Sequence, residues 1–361
     1  MIPTLIIMGL ALFVILTGAA YATVLERVLS AWIQQRTGPN RVGSPGMISG
    51  TDKMFVAAKT SLFMRIVNIA WLQPLADVIK LLLKEDIVPA GANKLVHFIA
   101  PVIAVTIAII TMGVLPFARG VQIADVNIGI LYSLAATSIG VYGITLAGWS
   151  SNSKYSLLGG LRSSAQMISY ELAMGLAVVS VVLLTNFRMP EGANFLSLTS
   201  IVEAQKGAWN VFVNPIGFLI FITCTFAEAN RAPFDLVEAE QELVGGFHTE
   251  YSSMKFALFF VAEYLHIIIG SMMITTLFFG GYLGIGEKAL GVEQWSTVAQ
   301  TAWGLGWFGL KSFFFVVVFI WVRWTLPRFK YNQLMDIGWK KFLPLALVNL
   351  VVIAAVIALL A

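Results

Sequence analysis

The sequence predicts an all-α, polytopic integral membrane protein with about eight transmembrane helices and further amphipathic helices at its inner surface. Three observations carry that prediction. Of the 361 residues, 58% are hydrophobic and only 12% charged, with a mean hydropathy of +0.84, whereas a soluble domain averages about 25% charged. The apolar runs have helix length, not the ten-residue alternation of a membrane barrel. Lys and Arg concentrate in alternate connecting segments, as orientation in a bilayer requires.

The first span is placed at about Ile2–Leu25, ending where Glu26 and Arg27 begin. Ala20-Tyr21-Ala22 looks like a signal-peptidase site, but Met1–Gly18 holds no basic residue and the charges follow the run. The segment is therefore expected to be a retained span. A first inner loop, residues 26–94, comes next. Gly38-Pro39-Asn40-Arg41-Val42-Gly43 is a turn by composition. Met54–Leu83 is broken by Lys59, Arg65, Asn68, Gln73, Pro74, Asp77 and Lys80, so it reads as one or two surface helices. Asp77, Lys80 and Lys84 share one face of such a helix.

The remaining spans fall at about Leu95–Phe117, Ile128–Trp149, Ser164–Leu184, Val211–Glu228, Phe256–Phe279, Leu310–Leu326 and Phe342–Leu360. Ser164, Gln166, Ser169 and Glu171 weaken the fourth, the fifth is short, and the seventh carries Arg323. The outer loops Arg188–Asn210 and Gly280–Trp307 are long enough for short helices. With the N-terminus outside, 18 Lys and Arg lie inside and 5 outside. This predicts both termini on the outer side of the membrane. There is no internal repeat and no second soluble domain, so residues 1–361 form a single membrane domain.

Composition excludes several functions. The one cysteine, Cys224, lies in an apolar run and cannot by itself hold a metal or an iron–sulfur cluster. His97, His248 and His266 do not cluster in sequence, and no Gly-rich phosphate loop appears. The chain is expected to bind no metal and no redox cofactor. Its net charge of +4 sits beside spans, which argues against nucleic acid.

Function is most legible in three glutamates within or at the mouths of spans: Glu171, Glu228 and Glu263. A carboxylate at bilayer depth costs roughly 2.5–3.5 kcal/mol on insertion scales. Three of them point to a buried polar path, and groups that are neutral or charged by turns are what a proton path needs. Glu171 and Glu263 each adjoin a tyrosine, so a structural hydrogen-bonding role is the alternative for both. The inner loop 228–255 is the most polar part of the chain. Asp235, Glu238 and Glu242 would share one helix face, with Glu240 and Glu250 nearby and only Arg231 and His248 as local cations. Such a group must be solvated, partly protonated, or matched by a basic surface such as Arg27, Arg36 and Arg41. Arg323-Trp324 to Lys330-Tyr331 reads as an inner interfacial anchor.

Several runs carry a family resemblance. They are Glu26-Arg27, Ala31-Trp32-Ile33-Gln34-Gln35-Arg36-Thr37-Gly38-Pro39-Asn40-Arg41-Val42-Gly43, Gln73-Pro74-Leu75-Ala76-Asp77 with Lys80-Leu81, Lys154 to Arg162, Ser169-Tyr170-Glu171, and Ala227 to Tyr264. They resemble, over nearly the whole chain, the eight-helix, quinone-site membrane subunit of bacterial NADH:quinone oxidoreductase, respiratory complex I. The resemblance implies a place at the foot of the hydrophilic arm. There the subunit encloses part of the quinone chamber with peripheral-arm subunits and starts the polar path toward the pumping subunits. It implies quinone as substrate, with FMN and iron–sulfur clusters on partner subunits.

Carried over by motif, Glu171, Glu228 and Glu263 become proton-coupling residues. Arg36, Arg41, Asp77 and Lys80 fall near the quinone entrance. Arg231, Asp235, Glu238, Glu240, Glu242 and Glu250 line the acidic loop under the chamber, with Arg27 and Arg323 as charge partners for those acids. One departure stands out: about Met47–Trp71 intervene where the family runs almost directly from the turn to Gln-Pro-Leu-Ala-Asp, so Lys53, Lys59 and Arg65 receive no role. Other readings are the homologous subunit of a membrane-bound hydrogenase or related dehydrogenase, a secondary transporter, and a structural anchor. A transporter often shows internal repeats, and an anchor needs no buried acids.

Overall fold

A computed structural model describes residues 2–36, 38–39, 71–190, 192–235, 243–287 and 291–360. Among them the regular structure is helical: α1 Ile2–Ile33, α2 Gln73–Leu83, α3 Lys94–Met112, α4 Gly129–Ser150, α5 Lys154–Arg188, α6 Leu198–Glu203, α7 Asn210–Val213, α8 Pro215–Glu228, α9 Ser253–Phe278, α10 Thr297–Thr325, α11 Tyr331–Asp336 and α12 Leu343–Leu360. A π-helical turn, Ile337–Phe342, joins the last two. Seven of the described helical runs are long and apolar enough to cross a membrane, and α8 is a shorter apolar helix. The all-α polytopic class follows directly from the apolar runs.

The helix ends have local causes. The side chains of Asn93, Asn214 and Ser296 accept from the backbone N–H groups of Val96, Gly217 and Ala299 and so cap α3, α8 and α10. Pro215 then occupies the first turn of α8, where its missing N–H costs nothing. Several helices run past the predicted spans. α1 continues through Glu26 and Arg27 to Ile33, because a charged pair does not break a helix and Gly38, with positive φ, comes only later. α5 starts ten residues early, at Lys154. Gly159 and Gly160 lie within it and serve close packing: a Cβ on Gly159 would sit 2.8 Å from Phe247 N, and one on the facing Gly148 of α4 would sit 3.2 Å from Gly160 Cα. Small residues letting backbones approach is the usual glue of membrane bundles. α10 likewise begins at Thr297, inside the predicted outer loop.

The bundle is built around α9, which packs on α1, α3, α8 and α10. Buried residues make up 67% of its most apolar stretch, against 17% for the run ending in α12. α5 forms the second axis, packed on α4, α8 and α12. The core between them is aliphatic and aromatic, including Ile220, Phe221, Leu265, Ile274, Phe278 and Phe319.

α2 has no buried residue, and Leu75, Val78, Ile79, Leu82 and Leu83 are exposed along it, as suits a helix lying at a membrane surface. It is tied to α1 through Arg27 Nη1 and Asp77 Oδ2, 2.8 Å apart. α8 is the element that positions the site. Its 14 residues span about 21 Å, less than the roughly 30 Å of a hydrocarbon core. Glu228 ends this short helix, and the chain continues as buried, non-helical backbone through Asn230, Arg231 and Asp235. Irregular backbone at such depth is tolerated only where protein or an internal polar space surrounds it.

Candidate functional site

Two polar groups occupy the interior, linked along the chain by the segment from Glu228 to Arg231. The first is an ion cluster at the junction of α1, α9, α10 and the loop after α8. Arg231 Nη2 lies 2.7 Å from Glu263 Oε2, and Arg231 Nη1 lies 3.9 Å from Glu26 Oε2. Arg323 Nη1 donates a short hydrogen bond to Glu26 Oε1, and Tyr264 Oη donates to Glu26 Oε2 at 2.7 Å. The Arg231 guanidinium also stands over the Tyr264 ring, 4.7 Å from its centre. Arg231 is 2% exposed and Glu26 6%. Two carboxylates thus face two guanidiniums at bonding distance, the arrangement that makes buried charge tolerable.

The second group lies between α4, α5, α8 and α9. Ser138 Oγ donates a short hydrogen bond to Glu171 Oε1. Thr137 is within hydrogen-bonding reach of Glu228, and the Glu171 carboxylate is close enough to act on Glu228 by charge. A small cavity of about 30 Å³, partly open, lies beside Glu228.

Gln166 of α5 holds the loop that connects the two groups. Its Nε2 donates to Ala227 O at 2.8 Å and to Phe234 O at 2.9 Å. Ser163 adds a bond to Asn230 Oδ1 at 3.3 Å. Asn230 adopts φ +50°, in the left-handed region that Asn tolerates better than most residues. The loop is therefore pinned at both ends, and Arg231 follows Glu228 by three residues.

The other motif residues lie as follows. Arg27 pairs with Asp77 and Arg323 with Glu26; of the acidic-loop residues, Glu238, Glu240 and Glu242 lie outside the described residues. Once α1 continues past Leu25, it carries Glu26 to the end of α10 and Arg27 to α2. Asp235 is bonded by Arg328 Nη2 at 2.7 Å, so the segment read as an anchor also supplies an exposed cation to a buried carboxylate. Arg36 is exposed and donates to Gln34 Oε1, and Lys80 is exposed on α2. Glu250 is half-buried in the turn before α9. Arg41, Glu238, Glu240, Glu242 and positions 47–70 of the inserted segment lie outside the described residues.

The tyrosines beside the acids do not bond their neighbours: Tyr170 donates to Leu334 O at 2.9 Å, and Tyr264 donates to Glu26. Sequence reasoning misses Glu26, Tyr264, Gln166, Ser138 and Thr137 as site residues. Glu26 is the recoverable one, since nothing between Leu25 and Ile33 breaks the first helix. In the sequence Gln166 reads only as a weakness in its span. Among the described residues, no cluster of His, Cys, Asp and Glu could hold a metal ion.

The family model described as NADH dehydrogenase matches residues 6–354. The chain belongs to the NADH dehydrogenase family. A Rhodothermus marinus protein named NADH-quinone oxidoreductase subunit 8 is 53% identical over 365 aligned residues, covering 99% of this chain and 97% of that one. The corresponding NADH-quinone oxidoreductase subunits of Salinibacter ruber and Leptospira biflexa are 51% and 48% identical, over 98% and 92% of this chain and 97% and 88% of their own lengths. As a member of the NADH dehydrogenase family, the chain is a multi-pass membrane component of an enzyme, and its two buried polar groups are to be read in that setting.

Proposed function

We propose that this chain is the membrane subunit of a proton-translocating NADH:quinone oxidoreductase that encloses part of the quinone chamber and starts the carboxylate path from quinone reduction to proton pumping. The observation that carries the reading is the position of Glu228. It ends a helix too short to cross the bilayer, three residues before Arg231 of the balanced cluster of Glu26, Glu263, Arg231 and Arg323, and within charge reach of Glu171.

Quinone reduction takes up two electrons and two protons. Two unit charges 4 Å apart interact by about 4 kcal/mol at an effective dielectric constant near 20. A change of charge on a reduced quinone or on the acidic loop therefore alters the proton occupancy of carboxylates nearby. In the ion cluster, Arg231 faces both Glu26 and Glu263, so one guanidinium couples the two carboxylates. Ser138 and Thr137 orient Glu171 and Glu228 along the same course. The resemblance assigns Asp77 and Lys80, on the surface helix α2, and Arg36, just after α1, to the quinone entrance. Arg231, Asp235 and Glu250, with Glu238, Glu240 and Glu242, belong to the chamber floor.

The partners are the peripheral-arm and small membrane-arm subunits, with FMN and iron–sulfur clusters on the former. A lone buried Cys224 is no ligand set for a cluster. The excess of Lys and Arg supports both termini on the outer side of a bacterial inner membrane.

Purification of the tagged chain from its native membrane tests the assignment. Recovery with flavin and iron–sulfur subunits and inhibitor-sensitive NADH:quinone reductase activity supports it. Recovery with a nickel–iron hydrogenase, or alone, defeats it. In the assembled enzyme, Glu171→Gln, Glu228→Gln and Glu263→Gln are each expected to impair proton translocation. Intact pumping in all three would reject the path.

A further inference from the structure

His266 has no part in the path described so far, yet it shares the cavity of about 30 Å³ with Glu228. That volume accommodates about two water molecules. Its polar lining comes from four helices: Thr111 of α3, Ser133 and Thr137 of α4, Glu228 and Thr225 of α8, and His266 of α9. Three of these hydroxyls have their protons directed elsewhere. Thr111 donates to Ile107 O at 2.9 Å, Ser133 to Ile130 O at 2.8 Å and Thr225 to Phe221 O at 2.8 Å. Their oxygens keep lone pairs for whatever the cavity contains. A space lined by acceptors at one protonatable carboxyl and one imidazole favours a proton-donating occupant, and water is the one that fits.

The position of His266 is equally specific. It lies three residues after Glu263 on α9, hence on the same helix face one turn further along. Its ring packs over Gly140 of α4, where a Cβ would approach Cε1 to 3.9 Å. The acid facing it from α8 is Glu228, with Glu171 of α5 behind, while α3 and α4 present hydroxyls.

We propose that His266 is a further proton-carrying residue of this subunit, exchanging protons with Glu228 through water held in the cavity between them; this rests on the carboxylate path proposed above. One proton leaves the Glu228 carboxyl for a cavity water as that water gives one of its own to an imidazole nitrogen. The water is regenerated and no electron moves. Through its i,i+3 relation to Glu263, the imidazole joins the cavity to the ion cluster along α9, by a route that does not pass through Arg231.

The test uses the intact enzyme in sealed vesicles, comparing wild type, His266→Asn, His266→Asp and Glu228→Gln. Proton translocation per NADH oxidised by quinone is read beside NADH:ferricyanide activity, which bypasses the quinone. His266→Asn should lower translocation about tenfold, less than the ~10²-fold or more usual for a positioned proton-transfer group because water offers a partial bypass. His266→Asp, which restores a protonatable group, should recover most of the loss. Equal impairment in the two His266 variants would mean a packing role and overturn the proposal. Normal pumping in His266→Asn with pumping lost in Glu228→Gln would overturn it while leaving the carboxylate path standing. Normal pumping in Glu228→Gln would overturn the proposal by removing its proton donor, while the path as a whole is rejected only if Glu171→Gln and Glu263→Gln also pump normally. Should His266→Asn fail to assemble, Thr111→Val combined with Thr225→Val decides: it keeps the shape and removes two acceptors, and undiminished pumping overturns the proposal.

Discussion

Arg231 and Glu263 meet at 2.7 Å in the interior of the bundle, one from the loop after a truncated helix and the other from ten residues into α9. The contact joins the acidic loop to the central helix. It also makes Arg231 the shared cation of two buried carboxylates, since Glu26 lies on its other amino group. Arg231→Met strips that cation from both while keeping its bulk. Breaking a buried pair from one side costs about 3–5 kcal/mol, so the variant should lower the thermal midpoint of the assembled enzyme and its yield. Arg231→Lys keeps the charge but offers no planar fork to two acceptors, and should fall between. A Met variant as stable as wild type would show that the cluster contributes nothing to the fold.

Glu26 accepts from Arg323 and Tyr264 at once. Glu26→Gln leaves Arg323 without its anionic partner and the cluster with a surplus positive charge. Coupled quinone reductase activity should drop severalfold. Tyr264→Phe removes only one hydrogen bond, worth roughly 0.5–1.5 kcal/mol, and should retain most activity. The pair of variants separates charge balance from simple hydrogen bonding. Equal activities would mean that the charge on Glu26 is not what matters.

The fold class is legible because apolar length and basic asymmetry are properties of the chain alone. Glu171, Glu228 and Glu263 are legible for the same reason: an acid in an apolar run is conspicuous wherever it folds. The pairings are not legible. Arg323 finds Glu26 across 297 positions and Arg328 finds Asp235 across 93, distances over which spacing carries no information. Span limits fail where one residue type has two uses. Gly159-Gly160 can break a helix or let two helices touch, and Glu26-Arg27 can end a span or sit inside a helix that outlasts it. His266 escapes notice in the sequence because no other histidine lies near it there, while its neighbour in space is a glutamate.

Gln166 is a positioning residue for the loop from Ala227 to Phe234. Gln166→Leu would leave the Ala227 and Phe234 carbonyls without its amide, and each buried group left unsatisfied costs about 1–3 kcal/mol. The Glu228–Phe234 loop should loosen, raising the KM for quinone and increasing proteolysis or hydrogen exchange there, while NADH:ferricyanide activity holds. Gln166→Glu keeps the shape but exchanges the donating amide for a carboxylate facing carbonyls, so it should be no better. Unchanged exchange in the loop in both variants would show that Gln166 does not hold it.

The close approach of α8 and α9 beside the cavity gives a sharper test. A Cβ at Gly270 would lie 2.3 Å from Thr225 Cγ2, and no other contact under 3.8 Å involves it. Gly270→Ala should therefore force the Thr225 side chain or the two helices apart, a misfit that typically costs 1–3 kcal/mol in a packed core, here put at about 2 kcal/mol. Thr225→Ser removes the offending methyl and keeps the hydroxyl that bonds Phe221 O. Alone it should be mildly destabilising; combined with Gly270→Ala it should recover most of the loss. The coupling between the two substitutions should be on the order of 1 kcal/mol and favourable. Thermal midpoints of the four assembled variants measure it directly. Strict additivity would mean that α8 and α9 do not touch at this point, and the cavity framed by Thr225 and Gly270 would then have a different shape.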